Sequence, residues 1–377
     1  MTGTAAGTVR RPPAALERSV TAAIRAGHAW SVRRRRPEAW LEVARMTGVI
    51  MRACGPGRGP ATPAELVAAL RRPLREWLSG CDEAVADLVV LDADGELTEE
   101  TYDIGCDYTV ELLTGLEDPG ARWLPGWSVH RAEQIEKAAF QALLSGGDEH
   151  YTRGRRFIVE HPAGDQAELT LARNRLGLPP LVAYEEIPVE RRWRGRWWPC
   201  PVCRWPMRVR ASQVRCDFPR HDAVFALTGA GALHPLGGVR RAPRAQTVDG
   251  AVCVDESVWR YFVVPGVVEV RLHDRIARLP GVHTSLYPQK DVCDVAVWRD
   301  GAGRCEFTLD VKDYASARAL ARKLEDRPIA AEWLVLPRYR RGQVAELRRL
   351  LPDVPVTTED GIYQRIRRAA DRAGGAQ

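Results

Sequence analysis

The stretch that most constrains this chain runs from Tyr287 to Asp313, YPQKDVCDVAVWRDGAGRCEFTLDVKD. It predicts a β-hairpin with an acidic residue on each arm and a lysine two places beyond the second. Asp294 opens an apolar arm, Val295 to Trp298. Asp-Gly-Ala-Gly at 300–303 is turn chemistry, and the return arm runs from Cys305 to Val311. For Asp294 and Asp310 to lie opposite each other on one face, the pairing must centre on Ala302, midway between them. That requires an odd-numbered loop, of roughly three residues (Gly301 to Gly303) or five. Lys312 then shares their face, because side chains alternate along a strand. Two carboxylates at cross-strand distance repel unless a cation lies between them, and oxygen ligands of this kind suit Mg²⁺.

These residues resemble the PD-(D/E)xK nuclease superfamily, the fold of many restriction endonucleases. The resemblance implies that Asp294 is the first-strand metal ligand and Asp310 the acidic residue of the second motif. Lys312 is then its lysine, which in the family helps orient or activate the attacking water. The Pro-Asp dipeptide is absent. Pro288 stands three residues ahead of Asp291 and six ahead of Asp294, so both acids are candidates; Asp294 is preferred because the apolar arm follows it directly. Asp-x-Lys by itself is cheap to obtain by chance, but composition gives it weight. Only Lys137, Lys290, Lys312 and Lys323 are lysines; with Lys+Arg at 55, the other 51 are arginines. An amine kept at the end of an apolar strand in such a chain serves as a compact charge that arginine cannot replace.

The order of elements beyond residue 252 agrees. Gly266 to Leu279 has a helical pattern carrying Glu269, and Val282 to Tyr287 reads as a strand ahead of the hairpin. Ala315–Glu325 reads as a helix, Glu332–Leu336 as a buried strand, Gln343–Leu351 as a helix and Val354–Val356 as a strand. Thr357 with Asp360 caps a last helix to about Arg372. Helix–strand–strand–strand–helix–strand is the common core of the superfamily, so the resemblance implies an α/β restriction-endonuclease-like domain with a mixed sheet. Glu269 resembles the first-helix glutamate that many members aim at the metal, which would join Asp294, Asp310 and the Val311 carbonyl as ligands of Mg²⁺ (or Mn²⁺). Gln289 and Lys290 precede the first arm. The clusters Arg338/Arg340/Arg341 and Arg365/Arg367/Arg368 would border the site and neutralise a DNA backbone.

Composition shifts sharply upstream. From Arg191 to Cys216 there are eight arginines, four tryptophans (Trp193, Trp197, Trp198, Trp205) and no acid. Cys200-Pro-Val-Cys203 is followed after twelve residues by Cys216 and after four more by His221. A tight Cys-x-x-Cys knuckle puts two thiolates on one metal ion, and a second pair across a short hairpin completes a tetrahedron. The predicted hairpin pairs Met207–Arg210 with Gln213–Arg215, giving a zinc-ribbon-like module whose second knuckle is Cys-x4-His. His234 and Cys253 are the alternative fourth ligands. The tryptophans suit base stacking beside phosphate-binding arginines, or else pack the module onto its neighbour.

The rest of the chain is mainly helical at its N-terminal side. Helical patterns cover about 13–27, 37–52, 63–80, 97–115 and 129–145, the third started by Thr62, Pro63 and Glu65. Leu88–Leu91 with Asp92-Ala93-Asp94-Gly95 reads as a strand and turn, and a helix after 165 ends at Leu178-Pro179-Pro180. The expected division is a mainly helical region 1–190, the zinc module 191–227, a Gly/Pro/Arg-rich linker 228–252 and the nuclease domain 253–377. No run of about 18 apolar residues is present and the N-terminus lacks an apolar leader core, so a cytoplasmic protein without a membrane segment is expected. Nine cysteines fit thiols and metal better than a disulfide framework.

The whole predicts a metal-dependent DNA endonuclease. The architecture also resembles the restriction-endonuclease-type proteins encoded beside prokaryotic PIWI-type proteins in defence loci, which implies action against phage or plasmids with PIWI-like and helicase partners. Two other readings stay open: a non-catalytic nucleic-acid-binding subunit built on the zinc module and arginine patches, and a nuclease acting on RNA.

Overall fold

The structure, a computed structural model, describes residues 14–33, 36–55, 57–83, 85–108, 147–179, 184–239 and 241–374. The chain divides into two compact units, Met1–Val129 and His130–Gln377. None of the helices among the described residues is long and apolar enough to cross a membrane.

The first unit is helical. Helices α1 (Ala14–Val32) and α2 (Ala39–Cys54) pack along faces of small and branched residues, including Ala22, Ala23, Ile24, Val43 and Ile50, and bury the Arg25–Glu42 ion pair between them. Helix α3 (Pro63–Ala69) begins as predicted: the Thr62 hydroxyl accepts from the Glu65 amide at 3.2 Å, and the Glu65 carboxylate reaches back to the Ala61 amide at 2.8 Å. It stops far short of residue 80. Pro73 has no amide to continue a helix, and a separate 3-10 turn, Leu74–Glu76, follows it. Leu91 bridges to Leu97 across a turn in which Asp92 accepts from the Glu96 amide and Gly95 takes φ +76°, the turn expected there. Helix α4 covers Glu99–Tyr108; the predicted helix 129–145 lies outside the described residues.

Among the described residues of the second unit the first element is helix α5 (Asp148–Glu160), which no sequence pattern singles out. Strand β1 (Ala163–Asp165) and helix α6 (Gln166–Arg175) follow; β1, β2 (Tyr184–Glu186) and β9 (Ala251–Val254) form a small antiparallel sheet with β9 central. The Cys/His module carries β4 (Arg208–Arg210) paired with β5 (Gln213–Arg215), the expected hairpin. The stretch 228–252 is not a plain linker. Strand β7 (Leu233–Pro235) extends the hairpin sheet by pairing with β6 (Val224–Leu227), and β8 (Gln246–Thr247) pairs with β3 (Arg196–Trp197). These strands are two or three residues long, too short for an alternation to be read among Gly and Pro.

The C-terminal part is a five-stranded mixed sheet, with β10 (Val282–Leu286), β11 (Val295–Arg299) and β12 (Phe307–Val311) antiparallel, then β13 (Trp333–Leu336) and β14 (Val356–Thr358) parallel. Helices α7 (Val264–Ile276) and α10 (Glu359–Gly374) cover one face through Val268, Leu272, Ile362 and Ile366 against Val295, Val297, Leu309 and Val335. Helices α8 (Ala317–Asp326) and α9 (Val344–Leu350) cover the other through Leu320, Leu324 and Leu347 against Leu334 and Leu336. Consecutive residues of β13 thus point into different cores, as a buried central strand must. The last helix is capped by the Thr358 hydroxyl, which accepts from the Gly361 amide at 3.2 Å, one residue later than predicted.

The hairpin register centres on Ala302: Val295 pairs with Leu309, Ala296 with Thr308 and Val297 with Phe307. The turn is longer than three or five residues. Pairing ends at Val297–Phe307, where the Glu306 amide donates to the Val297 carbonyl at 2.9 Å. A forked Arg299–Glu306 ion pair, at 2.7 and 2.6 Å, closes the base of the loop in place of further ladder bonds. Gly301 and Gly303 take φ +76° and +63° at its tip, where a side chain would be strained.

Candidate active site and metal centre

The register brings the predicted acids together. The Asp294 amide donates to the Leu309 carbonyl at 3.0 Å, and its carboxylate accepts from the Val311 amide at 2.6 Å. Asp294 is therefore pinned across Asp310 by the backbone on either side of it. Lys312 lies one alternation further on and its ammonium is in contact with the Asp310 carboxylate. The Val311 side chain belongs to the core on the other face, and its amide is what orients Asp294.

Glu269 completes the cluster from α7. It is buried at 2% exposure, takes a hydrogen bond from the Tyr287 hydroxyl at 2.7 Å and lies 3.0 Å from the Arg155 guanidinium. Arg155 also approaches Asp294, at 3.9 Å, and lies over the Tyr287 ring at 3.8 Å. Neither Arg155 nor Tyr287 was picked out from the sequence. Arg155 arrives because α5 docks on α7 at unusually close range: a Cβ on Gly266 would stand 2.4 Å from Val159. Val159 and Arg155 are one turn apart on α5, and Gly266 and Glu269 one turn apart on α7, so the close approach at the first pair aligns the second. Arg156, on the next face of α5, forks onto Asp274 at 2.9 and 2.8 Å, and the Thr152 hydroxyl donates to the Leu286 carbonyl at 3.1 Å. The spacing Tyr151, Arg155, Val159 on an apolar-faced helix was the available signal.

Three carboxylates face two cations here. Burial is the first reason that Asp294 holds its proton well above the usual carboxylate range, and the Glu269 charge the second; Lys312 and Arg155 only partly offset them. Burial would weaken the Lys312 ammonium, but the charges of Asp294 and Asp310 outweigh it and raise its affinity for the proton. Burial beside Glu269 likewise keeps the Tyr287 phenol protonated far above its ordinary range. A pocket with one carboxylate charge more than it can neutralise fits a hard divalent cation with oxygen ligands. The three acids do not converge on a point as they stand, because Lys312 and Arg155 lie among them.

Preceding β11, Tyr287, Gln289 and Lys290 all adopt left-handed backbone conformations (φ +50°, +51° and +58°), an unusual run without glycine, and Gln289 and Lys290 are exposed. Of the basic clusters, Arg340 is not available to a ligand: it is buried and paired with Asp313 at 2.9 Å. Arg338 and Arg341 are exposed, as are Arg365, Arg367 and Arg368.

The four Cys/His residues singled out by their spacing come together in a group that could hold a metal ion. Cys200, Cys203, Cys216 and His221 are buried, and their ligand atoms lie within 4.8 Å of one another; among the described residues no other set of three or more His, Cys, Asp or Glu converges so closely. His221 Nδ1 stands 3.3 Å from the Cys216 sulfur and 3.6 Å from that of Cys200, and the Cys203 and Cys216 sulfurs are 3.9 Å apart. In the first knuckle the Val202 amide donates to the Cys200 sulfur at 3.4 Å, and Arg204 closes the turn with φ +61°. Three soft sulfurs and one imidazole are the donor set of a structural zinc site. Of the alternatives, Cys253 sits outside the set, its thiol pushed up to about 12 by burial, and His234 is exposed on β7.

The tryptophans serve packing. Trp197, Trp198 and Trp205 are all buried; Trp205 stacks on Trp259 with centroids 4.2 Å apart, and the Trp259 indole N–H donates to the Cys203 sulfur at 3.3 Å. Arg191 lies over the other side of Trp205 at 3.8 Å and pairs with Asp217 at 2.6 Å, joined there by Arg208. The base-stacking expectation therefore fails for these three rings, because a module this small needs them as its core.

Two family models match the chain. Residues 266–374 match the model described as REase associating with pPIWI_RE. Residues 15–165 match the model described as pPIWI_RE three-gene island domain Y, a segment that extends through α5 and so includes Arg155. Together the two matches support the chain's assignment to the REase-type proteins associated with pPIWI_RE. No curated protein and no solved structure matches it.

Proposed function

We propose that this chain is a metal-dependent endonuclease that hydrolyses DNA phosphodiester bonds in a pPIWI-RE defence system, working in the cytoplasm with PIWI-like and helicase partners. The observation that carries the reading is the pinning of Asp294 across Asp310 with Lys312 on the next alternation, in the segment matched by the REase model. On this reading residues 253–377 form a restriction-endonuclease-like domain and 191–227 a zinc-bearing module.

Asp294 and Asp310 would hold Mg²⁺ or Mn²⁺, with the Val311 carbonyl and Glu269 as further oxygen donors. A bound ion of this kind polarises a phosphate and lowers the pKa of water. Lys312 positions the attacking water and offsets charge developing on the phosphorane. Arg155 and Tyr287 hold Glu269 in one orientation, and burial of the cluster keeps bulk water from screening these charges.

The test is cleavage of supercoiled plasmid, single-stranded DNA and RNA of matched sequence with Mg²⁺, Mn²⁺ or chelator, comparing the natural chain with Lys312→Ala. Metal-dependent cleavage lost in the variant supports the reading, and the preferred substrate decides between DNA and RNA. A second reading, a non-catalytic nucleic-acid-binding subunit, draws on the closed Lys312–Asp310 and Arg155–Glu269 pairs. It predicts binding without cleavage under every metal.

A further inference from the structure

A cavity of about 570 Å³ lies where the Cys/His module meets the C-terminal domain, outside the carboxylate cluster. Its lining includes four arginines: Arg220 from the module, Arg271 from α7, and Arg338 and Arg341 from the turn that follows β13. Tyr339 and Val267 supply an apolar wall. An acid in contact with this group is Glu359, whose buried carboxylate takes a fork from Arg271 at 2.8 Å and the Arg338 amide at 2.9 Å. Glu359 thus fixes Arg271 and the backbone of the turn, while the Arg338 side chain is not what it binds.

Guanidinium groups offer paired N–H donors that match phosphate oxygens, and several of them around one hollow make a site for an anion of more than one charge. A tyrosine ring beside them suits a sugar or base. The chemistry that fits is a nucleotide phosphate. The cavity is also tied to the reaction site: the Tyr339 hydroxyl donates to Asp313, the neighbour of Lys312, and Arg271 lies two residues from Glu269 on the same helix. His221, one of the metal-site residues, forms part of the wall.

We propose that this cavity is a nucleotide-phosphate subsite that grips a strand beyond the phosphate being cut, with the Cys/His module as one of its walls. The nature of the strand rests on the nuclease reading; the charge and size of the cavity do not. A metal ion in the module then has a second consequence besides folding, because it fixes the wall that carries Arg220 and His221.

The experiment uses the full-length, zinc-loaded chain carrying Asp310→Asn, so that cleavage cannot distort binding. Fluorescence anisotropy with a labelled single-stranded DNA oligonucleotide is read against salt, with unlabelled AMP as competitor. Arg338→Glu with Arg341→Glu is expected to weaken the oligonucleotide roughly tenfold or more and to flatten the salt dependence by about two phosphate contacts. Arg365→Glu with Arg368→Glu, on α10, is expected to do less. Competition by AMP that the first pair of substitutions abolishes would identify a free nucleotide as an occupant; its absence identifies the strand alone. The proposal is overturned if the parent binds neither ligand, or if the Arg338/Arg341 pair changes binding less than the α10 pair while circular dichroism and zinc content are unaltered. Should the natural chain fail to cleave under any metal while binding still depends on Arg338 and Arg341, the subsite stands and the nuclease reading falls.

Discussion

Arg155 and Glu269 are 114 residues apart in sequence and meet at 3.0 Å, with 8% and 3% of their side chains exposed. Through this contact α5, which lies far from α7 in the sequence, becomes a wall of the carboxylate cluster. Removing one partner of such a pair leaves the other charge buried and unmatched. Arg155→Ala is therefore expected to cost roughly 3 kcal/mol of stability, and Arg155→Ala with Glu269→Gln clearly less than the two singles summed. Urea titrations of the four chains check this; additive losses would mean that the contact contributes nothing.

The close approach of α5 and α7 makes Gly266 intolerant. Its Cβ would meet Val159 at 2.4 Å, so Gly266→Ala should lower stability by about 1–3 kcal/mol and Val159→Ala should relieve part of that loss. Thermal unfolding of the single and double variants measures both, and the same cleavage assay should show lower activity in Gly266→Ala as Arg155 is pushed from Glu269.

Zinc removal should unfold the module and loosen what rests on it. Cys203 receives the Trp259 indole N–H, and Trp259 stacks on Trp205, so the loss spreads beyond the ligands. Cys203→Ser is expected to release zinc, lower the melting temperature by several degrees or more and raise tryptophan fluorescence exposure. A chain that keeps its melting temperature after chelation would show that the cluster is a set of ordinary buried thiols.

Much of the hairpin was legible because local rules fix it. Glycines at 301 and 303 mark the turn, alternation sets the register, and two facing carboxylates need a reason. The convergence of Cys200, Cys203, Cys216 and His221 was legible for the same cause: knuckle spacing is a local geometry. What could not be read is what arrives from afar. Nothing around Arg155 in the sequence names Glu269 as its partner, and nothing in the run of tryptophans says that Trp205 will stack on Trp259 instead of on a base. The strands at 233–235 and 246–247 were hidden by their shortness. Arg340, grouped with its neighbours as a surface charge, turned inward to Asp313, a choice that only tertiary packing determines.

Asp294 is the residue at which a metal-binding role and a purely structural one part most sharply. Its carboxyl holds its proton above the usual range, so the stability it contributes without a divalent ion is complete on the acid side and is lost as pH rises through that raised value. Lys312, raised likewise but from the ordinary lysine range, keeps its contribution throughout the neutral range and loses it only in strong base. The measurement is thermal unfolding of the natural chain and Asp294→Asn between mildly acid and mildly alkaline pH, with and without Mg²⁺, alongside plasmid cleavage. The account predicts that Mg²⁺ stabilises the natural chain increasingly as pH rises, that Asp294→Asn is the more stable chain at alkaline pH without Mg²⁺ by on the order of 1 kcal/mol, and that it neither responds to Mg²⁺ nor cleaves. A variant that is less stable at every pH, or that still cleaves, would contradict it.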